Sequence, residues 1–200
     1  MKKFKFILII FILVLAIGLF YFFFINKNDN INTPKIEHSI EKYNYNLYDN
    51  STKEYKKLFQ ELSAELSKDE IDEKKYVELI SKMFIIDFYT LDNKLTNLNI
   101  GGVEFVHKDI VDNFKLKANE TLYKYLENNM YGDRNQKLPV VKEVTINNIS
   151  QKEFKYNNNA DYKAFFVDAS WTYEKDLGYE NKKTLIFVHE DNKLSLVEMS

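Results

Sequence analysis

The chain has 200 residues, of which 45% are hydrophobic and 29% charged, with 28 basic against 30 acidic side chains and no cysteine. The missing cysteines exclude disulfides and thiolate chemistry, so whatever folds is held by its core alone. Only Arg134 among the basic residues is arginine, and planar two-pronged recognition of phosphate or guanine favours arginine, so specific nucleic-acid reading is not expected.

The first element is an unbroken uncharged run, Phe6 to Ile25, preceded by Lys2, Lys3 and Lys5. Twenty residues at about 1.5 Å each reach about 30 Å, the thickness of a bilayer's hydrocarbon, so residues 1–25 read as a cytoplasmic N-terminus and a transmembrane anchor. The lysines place the N-terminus inside and the rest of the chain outside. Ala16 and Gly18 have the small-x-small spacing of a signal-peptidase site, an alternative that would leave Leu19 to Ile25 as an apolar N-terminus in water. Without Lys2, Lys3 and Lys5 the exterior part carries 25 basic and 30 acidic residues, a balance that does not draw it to DNA or anionic lipid.

Residues 26–50 are asparagine-rich, contain Pro34 and lack a sustained apolar period, which predicts a stalk or linker. Its alternating Tyr43, Tyr45 and Tyr48 read as loop, with a short strand as the alternative. The domain proper is expected over 51–200. Ser51 and Glu54 have capping-box spacing and precede a helical stripe of Tyr55, Leu58, Phe59, Leu62 and Leu66. Ser67 and Glu70 repeat the spacing before a second stripe of Val77, Ile80, Phe84, Phe88 and Leu91. Asp92 to Gly102 is loop-like, and Val103 to Val106 reads as a short strand. A third stripe runs through Ile110, Phe114, Ala118, Leu122, Tyr125, Leu126 and Met130, with Gly132 placed to end the helix.

After Pro139 the period becomes two. Val140 to Ile149 is the first strand, continuing through Phe154 and Tyr156 after a bend near Ser150. Next comes a strand with Phe165, Val167, Ala169, Trp171 and Tyr173 on one face, Phe166 breaking the alternation. Short turns lead to Thr184–His189 and Leu194–Met199, which predicts antiparallel neighbours. The fold class is therefore α+β: about three helices packed on a curved, four-stranded antiparallel sheet.

This order resembles the nuclear-transport-factor-2-like superfamily of cone-shaped domains. The stretches that carry the likeness are Phe84-Ile85-Ile86-Asp87-Phe88-Tyr89, Ala169-Ser170-Trp171-Thr172-Tyr173 and the closing Thr184 to Met199. Behind an anchor, such a domain is similar to the bitopic assembly subunits of type IV secretion and conjugation machines. The anchor, the linker and the lack of a catalytic signature fit a non-enzymatic module outside the membrane that binds protein partners or copies of itself, and the resemblance implies a component of a secretion or conjugation apparatus.

Two other functions follow from particular residues. Asp87 lies at the edge of an apolar stripe, where desolvation would raise its pKa and suit it to acid or base work. Enzymes of the resembled superfamily often use an acidic residue in this way, with Asp168 and His189 as conceivable companions here. Phe84, Phe88, Phe105, Phe165, Trp171 and Phe187 are the candidate lining of a ligand-binding cone, or else plain core. His38, His107 and His189 have no metal-ligand spacing, so neither a metal nor a cofactor is expected.

Overall fold

The computed structural model describes residues 13–19, 33–157 and 159–200. The chain divides into two units, residues 1–32 and 33–200. Most of the expected anchor, residues 6–25, lies outside the described residues; residues 13–19 are helical, with Leu13, Val14 and Ile17 exposed. Among the described residues no helix is long and apolar enough to cross a membrane.

The second unit is an α+β structure of helices and a four-stranded antiparallel sheet. Its first element corrects the expected linker. Strands β1 (Ile36–Ile40) and β2 (Tyr45–Tyr48) pair antiparallel through a 3-10 turn at Glu41–Tyr43, and Tyr43, Tyr45 and Leu47 are buried. A period of two over only four residues, flanked by asparagines, is too brief to announce a strand. Burial of three large side chains stabilises it instead, and the hydroxyls of Tyr45 and Tyr76 share a 2.6 Å hydrogen bond beneath them. Asn44 takes the left-handed conformation at the turn, which asparagine tolerates.

Helix α1 (Lys53–Leu66) buries the predicted stripe. Its cap is Thr52, whose hydroxyl accepts the Tyr55 amide, while Ser51 accepts the amide of Tyr48. Helix α2 (Glu73–Tyr89) is capped by Asp72, which accepts the amides of Lys74 and Lys75, and Ser67 instead closes the end of α1. A carboxylate at this position also favours the positive end of the helix dipole, an advantage the serine lacks. Eleven of the 17 residues of α2 are buried, making it the central helix of the core.

Val103 to Val106 is not a strand: Val103–Phe105 forms a 3-10 turn, and Val106 makes one parallel bridge to Leu196. Helix α3 (Val111–Glu120) stops ten residues short of Met130. Thr121 turns its hydroxyl back to the Lys117 carbonyl, and Tyr123 leaves the helix to send its hydroxyl into the core, donating to the Phe88 carbonyl and accepting from the Gly101 amide. A tertiary hydrogen-bond pair thus outweighs a helical period that continues in the sequence.

The sheet is a meander of β3 (Val141–Tyr156), β4 (Asn159–Tyr173), β5 (Lys182–Glu190) and β6 (Lys193–Met199), in that spatial order. Phe165, Val167, Ala169 and Trp171 face the helices, as their alternation predicts. Strand β3 runs to Tyr156 as expected, β4 begins earlier than expected, at Asn159 opposite Tyr156, and the ladder is irregular after Val141, Ile146 and Lys152. Such bulges bend a strand and tighten its twist.

The loop before α3 crosses the C-terminal end of α2 so closely that a Cβ on Gly101 would lie 2.1 Å from the Asp87 carbonyl oxygen. Gly101→Ala is therefore expected to destabilise the fold by about 1–3 kcal/mol or more, since the obstacle is helix backbone. Urea denaturation measures this; an unchanged midpoint would mean that the loop can lie elsewhere.

Candidate functional site

The most developed site is a polar cleft of about 560 Å³ where the loop over residues 92–105 meets β2 and the start of β6. That volume is in the ~300–1,000 Å³ range of small-molecule sites. Its wall carries the side chains of Asn44, Asn46, Asn50, Asn93 and Asn99, with Asp87, Glu104, Lys94 and Lys193 supplying charge.

Asp87, near the end of α2, is one side of this cleft. One of its carboxylate oxygens accepts from the Lys94 ammonium and the other from the Gly102 amide at 2.6 Å. Lys94 is only 5% exposed, so Asp87 supplies the countercharge that a buried ammonium requires. Gly102 sits at φ +71°, where a side chain would also strike the Phe84 ring. Arg134, the single arginine, donates to the carbonyls of Asp92, Lys94 and Glu127 and so ties this loop to the one after α3. Its fan of donors suits carbonyls converging from several directions.

Glu104 was not singled out by sequence pattern, yet it has the more unusual environment. It projects from the 3-10 turn toward two other elements: one oxygen accepts the Tyr55 hydroxyl of α1 at 2.8 Å, the other the Asn46 amide of β2 at 2.9 Å. Part of the residue remains open to the cleft while most of the carboxyl is enclosed. Burial pushes its pKa up, the two hydrogen bonds pull it down, and the nearby Asp87 charge raises it again, leaving it at about 7. Burial, followed by the Glu104 charge, in turn holds the Tyr55 hydroxyl well above its usual range. A carboxyl titrating near neutrality can donate or accept a proton toward a molecule in the cleft. The site also holds a buried acceptor without a partner, Oδ1 of Asn93.

The two proposed acid-base companions of Asp87 are held by different groups. Asp168 accepts from Thr184 at 2.7 Å and from Asn148 at 3.3 Å. His189 joins Asp161 at 2.8 Å through Nδ1 and Glu73 at 3.2 Å through Nε2. Burial would raise Asp161, but the amide and ring of His189 hold its carboxyl below the ordinary value. This cluster straps the β3–β4 hairpin and β5 to the start of α2. His107 is buried against Glu190, at 3.8 Å, and His38 is exposed on β1. Among the described residues no group of three or more ligating side chains is placed to hold a metal ion.

The six aromatic candidates belong to one hydrophobic core. Phe84 stacks on Phe88 at 5.4 Å, Phe105 on Tyr45 at 5.2 Å, and Trp171 lies 4.4 Å from Tyr89. Phe165 and Phe187 are cross-strand partners. None of the six lines the polar cleft; Phe88 borders a smaller groove of about 280 Å³ between α3 and β6. Comparison with protein-family models, with curated proteins and with solved structures finds no match to this chain.

Glu104 makes stability depend on pH. Its folded-state pKa of about 7 exceeds the ordinary 4.5, so the folded chain holds more protons between those values, and stability falls as pH rises from about 4.5 to about 7. Glu104→Gln keeps an acceptor for the Asn46 amide and carries no charge. The variant is expected to match the parent near pH 4.5 and to exceed it by about 2 kcal/mol at pH 8, allowing for solvent screening. Urea titrations at both pH values test this, and equal stabilities at pH 8 would refute it.

Proposed function

We propose that the chain is a membrane-tethered interaction module whose α+β domain is held outside the cytoplasm and works by contact with protein partners or with copies of itself. The observation that carries this reading is the uncharged run of residues 6–25 behind three lysines. The exposed Leu13, Val14 and Ile17 support it, because apolar side chains in that number are penalised by water and accepted by lipid.

The domain's construction favours contact over catalysis. Both oxygens of Asp87 serve the loop, which leaves it poorly placed to exchange protons with a substrate. The aromatic side chains pack against one another, as a scaffold requires. Helices followed by a bent meander also support a cone-like, nuclear-transport-factor-2-like architecture. With the anchor, a subunit of a secretion or conjugation apparatus is the most concrete version of this function. A second reading, binding of a small polar ligand, is favoured by the unpartnered Asn93 acceptor beside Glu104.

Because the chain has no cysteine, its topology can be tested with single labels. In intact bacterial cells a membrane-impermeant maleimide is expected to modify Asn192→Cys, on the exposed β5–β6 turn, and to spare Lys3→Cys until lysis. Labelling of Asn192→Cys only after lysis would overturn the external placement.

A further inference from the structure

Strand β3 is the first of the sheet's two edges and runs for 16 residues, with most side chains exposed and, among the described residues, no strand beyond it. An edge of this length presents a row of backbone donors and acceptors to any strand that fits. Its sequence over residues 142–153, KEVTINNISQKE, is self-complementary when inverted about the Asn147-Asn148 bond. Inversion sets Lys142 against Glu153, Glu143 against Lys152, Val144 against Gln151, Thr145 against Ser150, and Ile146 against Ile149, of which only Val144–Gln151 does not match in kind.

In an unbroken strand this arrangement would fail, because residues separated by an odd number of steps point to opposite faces. The β3 ladder is broken at the centre of the inversion: Ile146 pairs with Ala169 but Asn148 with Asp168, so Asn147 is an extra residue. The bulge reverses the alternation. Val144, Ile146, Ile149 and Gln151 consequently lie opposite Trp171, Ala169, Val167 and Phe165, the helix-facing side chains of β4. Glu143, Thr145, Ser150 and Lys152 lie opposite Thr172, Ser170, Phe166 and Ala164, on the other face. The pairs Glu143–Lys152, Val144–Gln151, Thr145–Ser150 and Ile146–Ile149 therefore each share a face, while Lys142 and Glu153 fall at the ladder's two other irregularities.

Lysines and bulges are also common means of protecting an edge from chance pairing. That role explains their presence and leaves their two-fold arrangement unexplained. Two shallow grooves of about 570 and 560 Å³, meeting at Lys74 and Ile149, separate β3 from the side of α2 and leave its flank open. Val144, Ile146 and Ile149 are only half-buried there, with apolar surface still to cover.

We infer that β3 is a homodimer interface, in which two copies pair antiparallel about a two-fold axis at Asn147-Asn148 and join their sheets into one of eight strands. The occupant of the edge is a second copy because the charges complement themselves: each dimer makes two Glu143–Lys152 pairs. This deepens the interaction reading by naming the partner. A two-fold pair also carries Thr33 of both copies at one level along its axis, which is compatible with tethering both to one membrane. The pairing itself does not require the anchor.

The test uses full-length chain in detergent, as a mixture of the Thr145→Cys and Ser150→Cys variants under mild oxidation. Directly opposed residues have Cβ atoms about 4.5–5.5 Å apart, close enough to form a disulfide with small adjustment. Identical positions of the two copies would lie roughly 17 Å apart. A disulfide dimer is expected in the mixture and in neither variant alone; no dimer in the mixture, or equal dimer in each variant alone, would overturn the register. In sedimentation equilibrium Lys152→Glu is expected to weaken association at least tenfold, and the added Glu143→Lys to restore it. Failure of the double exchange to restore association overturns the proposal. Maleimide labelling of Asn192→Cys tests the membrane reading separately, so either idea can fail without the other.

Discussion

The ion pair between Asp87 and Lys94 organises the part of the molecule where chain segments distant in sequence converge. A buried ammonium needs a countercharge, and Asp87 provides it from the last turn of α2 while its second oxygen holds the Gly102 amide. Several consequences follow from that one constraint. Gly101 must be glycine because the loop lies on helix backbone. The 3-10 turn after it sends Phe105 into the core and Glu104 toward β2 and α1. Val106 and His107 then reach β6, where the His107 amide donates to the Leu196 carbonyl.

The two edges of the sheet are consequently treated differently. Beside β6, the segment held by the Asp87 clip takes one carbonyl and covers part of the edge. Beside β3 no strand of the described residues intervenes, and the grooves toward α2 keep that side accessible. The proposed pairing uses this asymmetry: one edge is partly occupied by its own chain, and the other carries the inverted charge pattern of β3. The polar cleft lies on the covered side, with Glu104 near the balance point of its titration at neutral pH. Its carboxyl is costly to ionise there, and the hydrogen bonds from Tyr55 and Asn46 offset only part of that cost.

Much of the architecture could be read before the coordinates. The stripes of α1 and α2, the change of period after Pro139 and the helix-facing side of β4 are local patterns, repeated often enough to be unambiguous. The caps were less legible, because Thr52 and Asp72 compete with neighbouring residues of equal capping ability. The β1–β2 hairpin was missed for a different reason: its tyrosines are buried by α2 and by Phe105, residues 30 to 60 positions away. Of the candidate site, Asp87 was visible as a carboxylate in an apolar stripe, but its engagement with Lys94 and Gly102 was not. Glu104 left no local signal at all, since its partners come from β2 and α1.

By itself the sequence determined the uncharged N-terminal run, the α+β class and the order of the three main helices and the four strands of the sheet, because each depends on composition or short-range spacing. Tertiary structure alone decided where α3 ends, which carboxyl is driven toward neutrality and on which face each residue of β3 falls. The reason is physical. Desolvation, close backbone approach and a single extra residue in a ladder are properties of what lies opposite a side chain, and nothing in the neighbouring sequence records it.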